Sequence, residues 1–146
     1  MNVEIDPDAY QFIDTNILVY AHDASAAEKH DKAKALLKLL WTSRVGCLSI
    51  QVLQEFFVTI TQKVPKPLPV LGASQIISDL AVWRVHSPTA EDVLQAIELQ
   101  SRFQLSFWDA MIIQSAHQEG CQILWSEDLN AGQTYYGVQV RNPFAF

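Results

Sequence analysis

The 146-residue sequence predicts an α/β fold in which a mostly parallel sheet of about five short strands is covered by helices on both faces. Two observations carry that prediction. Short apolar runs alternate with longer stretches whose apolar residues recur at helical spacing, and polar turn formers separate the two kinds of segment. Composition agrees, because 49% of the residues are hydrophobic and the length suits one domain, residues 1–146, with a continuous core.

Tyr10-Gln11-Phe12-Ile13 reads as the first strand and stops at Asp14-Thr15-Asn16, after which Ile17-Leu18-Val19-Tyr20 begins a short helix. Residues 25–40 read as a helix with Ala26, Ala33, Leu36, Leu37 and Leu40 facing inward. After the Gly46 break, Cys47-Leu48-Ser49 is a second strand. A helix over 50–63 then places residues 53, 56, 57 and 60 on its apolar stripe, with Glu55 off it. Prolines 65, 67 and 69 exclude helix interior and make a loop. A helix over 72–83 and an extended Arg84-Val85-His86 follow. Thr89-Ala90-Glu91-Asp92 opens a further helix in the manner of a capping box, and Ser106-Phe107-Trp108-Asp109 repeats that device for a helix to about Gln118. Gly120, the strand Gln122-Ile123-Leu124-Trp125 with its stop at Ser126-Glu127-Asp128, and a last strand Val138-Gln139-Val140 complete the chain.

Sixteen Asp and Glu residues against 10 Lys and Arg give a formal net charge of −6. That balance excludes a disordered chain and a protein that coats nucleic acid by bulk positive charge. It leaves room for an enzyme that reaches nucleic acid through metal ions. Cys47 and Cys121 are too few for a disulfide scaffold and have no zinc-ligand spacing, which fits two small buried side chains in a reducing compartment. No apolar run approaches the ~18 residues that span a bilayer, and the acidic residues 1–8 contain no leader-like apolar stretch. A cytoplasmic protein without membrane partners is expected.

Four acids fall in strongly apolar contexts: Asp14 after Phe12-Ile13, Glu55 before Phe56-Phe57, Asp109 within Trp108-Asp109-Ala110-Met111, and Asp128 after the Ile123-Leu124-Trp125 strand. Each alone has an ordinary explanation. Asp14 and Asp128 suit turns, Asp109 suits the first turn of a helix, and Glu55 suits an exposed helix face. Together they come from four segments that a parallel sheet would gather beyond its strand ends. Buried carboxylates are costly unless paired, hydrogen-bonded or metal-bound, and almost no basic residue is near them in sequence, which leaves only distant Lys or Arg as partners. Carboxylates without cations are the composition of a Mg²⁺ or Mn²⁺ site.

These residues resemble a known family. Phe12-Ile13-Asp14-Thr15-Asn16-Ile17-Leu18-Val19-Tyr20 is similar to the opening motif of the PIN domain. Glu55, Asp109 in Ser106-Phe107-Trp108-Asp109-Ala110-Met111-Ile112, and Asp128 in Ser126-Glu127-Asp128-Leu129 follow in that family's order and approximate spacing. Length and motif wording are most similar to VapC-type toxins of bacterial toxin–antitoxin pairs. The resemblance implies a PIN-like α/β/α sandwich and a metal-dependent endoribonuclease using Mg²⁺ or Mn²⁺. Asp14, Glu55 and Asp109 match the three core acidic positions and Asp128 the more variable fourth, with Glu127 as its adjacent competitor. Thr15 or Asn16 matches the supporting polar position. The implied reaction is attack on an RNA phosphodiester by a metal-activated water, leaving a 5′-phosphate and a 3′-hydroxyl. The implied partners are the RNA substrate, a cognate antitoxin and a second copy in a homodimer.

His22, His30, His86 and His117 read as structural or exposed, and Lys29, Lys32, Lys34 and Lys38 as a solvated helix face that would alternatively meet RNA phosphates. Trp83, Trp108 and Trp125 read as core, which leaves Trp41 as the best candidate for stacking on a base. Two competing functions are a catalytically silent PIN-like scaffold and a phosphatase with Asp14 as nucleophile. The latter wants a second acid where Asn16 stands. Setting the four acids aside brings the 16 acids nearly level with the 10 basic residues, so most of the negative excess would be the site itself.

Overall fold

A computed structural model describes residue 6 and residues 8–145; of the acidic opening stretch, residues 1–5 and 7 lie outside that range. The sheet has six strands rather than about five, in the order β3-β2-β1-β4-β6-β5: β1 (Tyr10–Ile13), β2 (Gly46–Ser49), β3 (Arg84–His86), β4 (Cys121–Trp125), β5 (Thr134–Tyr135) and β6 (Val138–Arg141). Every pairing is parallel except β5 with β6. The additional strand, β5, is two residues long and has no hydrophobic period of its own. It exists because Tyr136 and Gly137 both take positive φ (48° and 85°), the backbone of a tight two-residue hairpin that returns the chain onto β6.

Helices α1 (Thr15–His22), α2 (Glu28–Ser43), α3 (Ile50–Gln62) and α4 (Val70–Leu80) lie along the path β1-β2-β3, which moves in one direction across the sheet. The path from β3 to β4 runs back over β2 and β1 and carries α5 (Ala90–Phe103) and α6 (Phe107–Gln118). Right-handed crossovers put these two groups on opposite faces. The packing agrees, since α1 meets α2 and α3, α3 meets α4, and α5 meets α6. The core between the layers includes Phe12, Ile13, Cys47, Leu48, Phe56, Ile113 and Leu124, all fully buried.

Helix boundaries depart from the periodic pattern where the backbone turns left-handed. The first long helix starts at Glu28, after Ala27 at φ 53° breaks the chain, and ends at Ser43, where Arg44 at φ 61° caps it. Helix α4 follows directly on Pro69 and stops at Leu80. At Gly46 a Cβ would run into the Trp83 indole, so the absence of a side chain there lets Trp83 lie against the start of β2. Among the described residues no helix is long and apolar enough to cross a membrane. The strand order reverses direction between β1 and β4, and the crevice beyond their carboxyl ends is where such sheets bind ligands.

Candidate active site

Asp14 is the residue at which β1 becomes α1. Its backbone is still extended (φ −71°, ψ 159°), its amide bonds the Trp125 carbonyl at 3.0 Å, and its side chain caps α1 by accepting from the Thr15 amide at 2.7 Å. The second carboxylate oxygen accepts from the Ser126 hydroxyl at 2.7 Å and lies 3.4 Å from the Asn16 amide nitrogen. Asp14 is only 6% exposed. Burial pushes its pKa up to about 6, against the lowering hydrogen bonds from Ser126 and Thr15, and the nearby Asp109 and Asp128 carboxylates push the same way as burial.

The neighbouring acids are held by neutral donors. Thr15 donates its hydroxyl to Glu55 at 2.8 Å, across from α1 to α3. The Asn16 amide donates to Asp128 at 3.0 Å, and its oxygen accepts the Glu127 amide at 3.2 Å. Ser126 is fully buried, and its hydroxyl oxygen also receives the Asp128 and Leu129 amides. Asp14, Glu55, Asp109 and Asp128 line one cleft of about 710 Å³, with Thr15 and Asn16 between them.

Glu127 points elsewhere. It pairs with Lys29 and accepts the Tyr20 hydroxyl at 2.7 Å; burial raises its pKa, but these two partners outweigh it and hold the carboxyl below its ordinary range. Lys29 therefore secures the loop after β4, and Lys32 pairs with Glu28 one turn back along α2. His22 and His30 each contact a backbone carbonyl of α1 through Nδ1.

Two expectations are corrected. Ser106 does cap α6 by accepting the Asp109 amide at 3.1 Å, but the Asp109 side chain does not return the bond as Asp92 does to Thr89. No hydrogen-bond donor among the described residues reaches the Asp109 carboxylate, which is left facing the cleft. Trp108 is not core: it is 61% exposed on the cleft wall, in the first turn of α6, and the continuous buried run of that helix begins only at Ala110. Trp41 instead packs edge-on against Trp83 and is not part of this cleft. Sequence reasoning also gave no role to Ser126 or to Gln51, whose amide nitrogen lies 3.3 Å from the Trp108 carbonyl.

Among the described residues, no three His, Cys, Asp or Glu side chains converge as a ready-made set of metal ligands. The donor chemistry nonetheless suits a hard divalent ion. All four acids offer oxygen, none is paired with a cation, and Asp14 is disfavoured in its charged form by burial first and by its carboxylate neighbours in addition. Mg²⁺ characteristically takes one or two carboxylates and keeps several waters, so it does not require an all-protein cage.

A family model described as the PIN domain matches residues 12–135. No curated protein matches the sequence. Among solved structures, VapC20 of Mycobacterium tuberculosis, described as a Sarcin-Ricin loop cleaving toxin, is 26% identical with a TM-score of 0.64 over 81% of this chain and 91% of its own. A toxin–antitoxin complex from Klebsiella pneumoniae (16% identity, TM-score 0.66, 93% and 99% coverage) shares the fold. So does VapBC2 from Rickettsia felis bound to a DNA fragment from its promoter (21%, 0.65, 91% and 98%).

Proposed function

The chain belongs to the PIN-domain family, and from that premise we propose that it is a divalent-metal-dependent endoribonuclease and the toxin of a toxin–antitoxin pair. The observation that carries this reading is the convergence of Asp14, Glu55, Asp109 and Asp128 on one cleft, where neutral side chains rather than cations hold them. The likeness to VapC20, itself described as a toxin that cleaves the Sarcin-Ricin loop, supports RNA as the substrate class.

In this reading Asp14, Asp109, Asp128 and Glu55 hold Mg²⁺ or Mn²⁺. When bound, the ion supplies Lewis acidity, lowering the pKa of a water and offsetting phosphate charge. The chain does the positioning. Ser126 and the Thr15 amide fix both oxygens of Asp14, Thr15 orients Glu55, and Asn16 ties Asp128 to the start of α1. Burial holds the Asp14 pKa up to about 6, and a bound cation would favour its charged form. The same acidic cleft would receive a basic side chain of an antitoxin in a cytoplasmic complex, with the toxin pairing to itself. The test is cleavage of a total RNA pool with Mg²⁺ or Mn²⁺, mapped at both ends, with Asp109→Asn as control. Wild-type protein that neither cuts RNA nor binds either ion ends this reading in favour of a silent scaffold.

A further inference from the structure

Trp108 is the largest side chain left mainly exposed in the cleft, and it adjoins Asp109 in sequence. Its helix turn is fixed in two ways. The Trp108 carbonyl receives the Gln51 amide at 3.3 Å, and its ring packs edge-on against Phe107 at 5.1 Å. Gln51 is 8% exposed, and its oxygen has no partner among the described residues, so its amide is oriented toward Trp108 at the expense of its acceptor. The indole thus presents an exposed aromatic face beside the acids, on a helix turn tied to α3 through its backbone.

The opposite end of the cleft differs. Gln51, Glu55, Thr59 and Lys63 share one face of α3 and its C-terminal cap, and all line the cleft. At the helical rise, Gln51 and Lys63 are about 18 Å apart along the axis, with Glu55 between them. Among the described residues Lys63 is the cleft's only Lys or Arg, and no ion pair engages it. Along α3 the cleft therefore presents an aromatic face, a carboxylate cluster and a cation in succession.

We propose that this succession is a track for one unpaired RNA strand: Trp108 stacks the base beside the scissile phosphate, and Lys63 takes a phosphate further along. The inference rests on the nuclease reading above and adds two residues that would contact the substrate. An indole offers every base a stacking partner, but only once that base is out of a duplex, so the track selects loops and single strands over paired stems. An apolar ring edge from a protein partner is the rival occupant of the Trp108 face.

The test uses the full chain without a partner. Cut sites are mapped on a total RNA pool, then kcat and KM are measured on a short unpaired oligonucleotide carrying one mapped site. Trp108→Ala raises KM roughly tenfold with a smaller change in kcat, and weakens the base preference beside the cut. Trp108→Phe stays within about threefold of wild type, as a stacking role requires. Lys63→Gln lowers affinity and flattens its salt dependence by about one counterion. Trp41→Phe, outside the cleft, changes neither constant. In parallel, fluorescence anisotropy follows a fluorescein-labelled random-sequence single-stranded RNA, and the same RNA annealed to its complement, with Mn²⁺ present. If wild type cuts nothing but binds the single strand through Trp108, the nuclease reading fails and the track stands. Unchanged KM and cut sites in Trp108→Ala overturn the track, as does equal affinity for single strand and duplex. Single-strand binding left intact by Trp108→Ala also overturns it and leaves the indole to the rival occupant.

Discussion

Asp14 and Asp92 are almost equally buried, at 6% and 4% exposure, yet the protein shifts their pKa values in opposite directions. Burial alone would raise both. Around Asp92 that push is outweighed by the Thr89 amide at 2.8 Å, the Gln114 amide at 3.0 Å and the His86 imidazole at 3.2 Å, and its carboxyl ends below the usual range. Asp14 has donors too, but burial outweighs them, the Asp109 and Asp128 carboxylates add to its push, and the group ends at about 6. Asp109 sharpens the contrast, since it occupies the same third helical position as Asp92 and leaves its capping box half made. A carboxylate that the fold satisfies is structural; one that it crowds with other carboxylates is kept for something that arrives later.

Breaking the satisfied acid has the largest expected effect. Asp92→Ala strands His86 and Gln114 in the interior and lowers unfolding free energy by about 3–5 kcal/mol in a denaturant titration, with RNA cleavage per folded molecule unchanged. The crowded acid shows the reverse sign. Because the folded pKa of Asp14 lies above its unfolded 3.8, its contribution is full below about pH 3.8 and lost as pH rises through about 6. Wild type in chelator should therefore gain about 2 kcal/mol relative to Asp14→Asn between pH 7 and pH 4. A flat difference between the two titrations would remove the contrast. Asp109→Asn should lower cleavage about a hundredfold while leaving the melting temperature in chelator unchanged or higher. Ser126→Ala, which takes one donor from Asp14, should cost roughly tenfold in metal affinity measured by calorimetry. Smallest is Glu127→Gln: its partly exposed pair with Lys29 is worth at most about 1 kcal/mol, and cleavage stays at the wild-type rate.

Much of this contrast was legible in the residues. Apolar runs ending at Asp14 and Asp128 located two strand ends, and the helical stripe of α3 left Glu55 off the core side. Ser126 was not legible, because a serine after a strand looks like any turn residue until β1 and β4 are known to be neighbours. Trp108 was misread for a related reason. The run 107–113 is apolar throughout, and nothing local says that Trp108 stays exposed while Ala110 to Ala116 lie buried. The failed second capping box is likewise a tertiary result, decided by which neighbours the Asp109 carboxylate meets. Helix starts slipped where Ala27 took a left-handed backbone that its sequence does not favour. The two-residue β5 was too short for any period to register.

The hydrogen bond from Ser126 to Asp14 joins positions 112 residues apart. On a growing chain, β1 and α1 emerge early, but Asp14 lacks this partner and its neighbour β4 until the last part of the sequence has been made. The acidic cluster is thus a product of the tertiary fold, and α1 with its cap cannot assemble it alone.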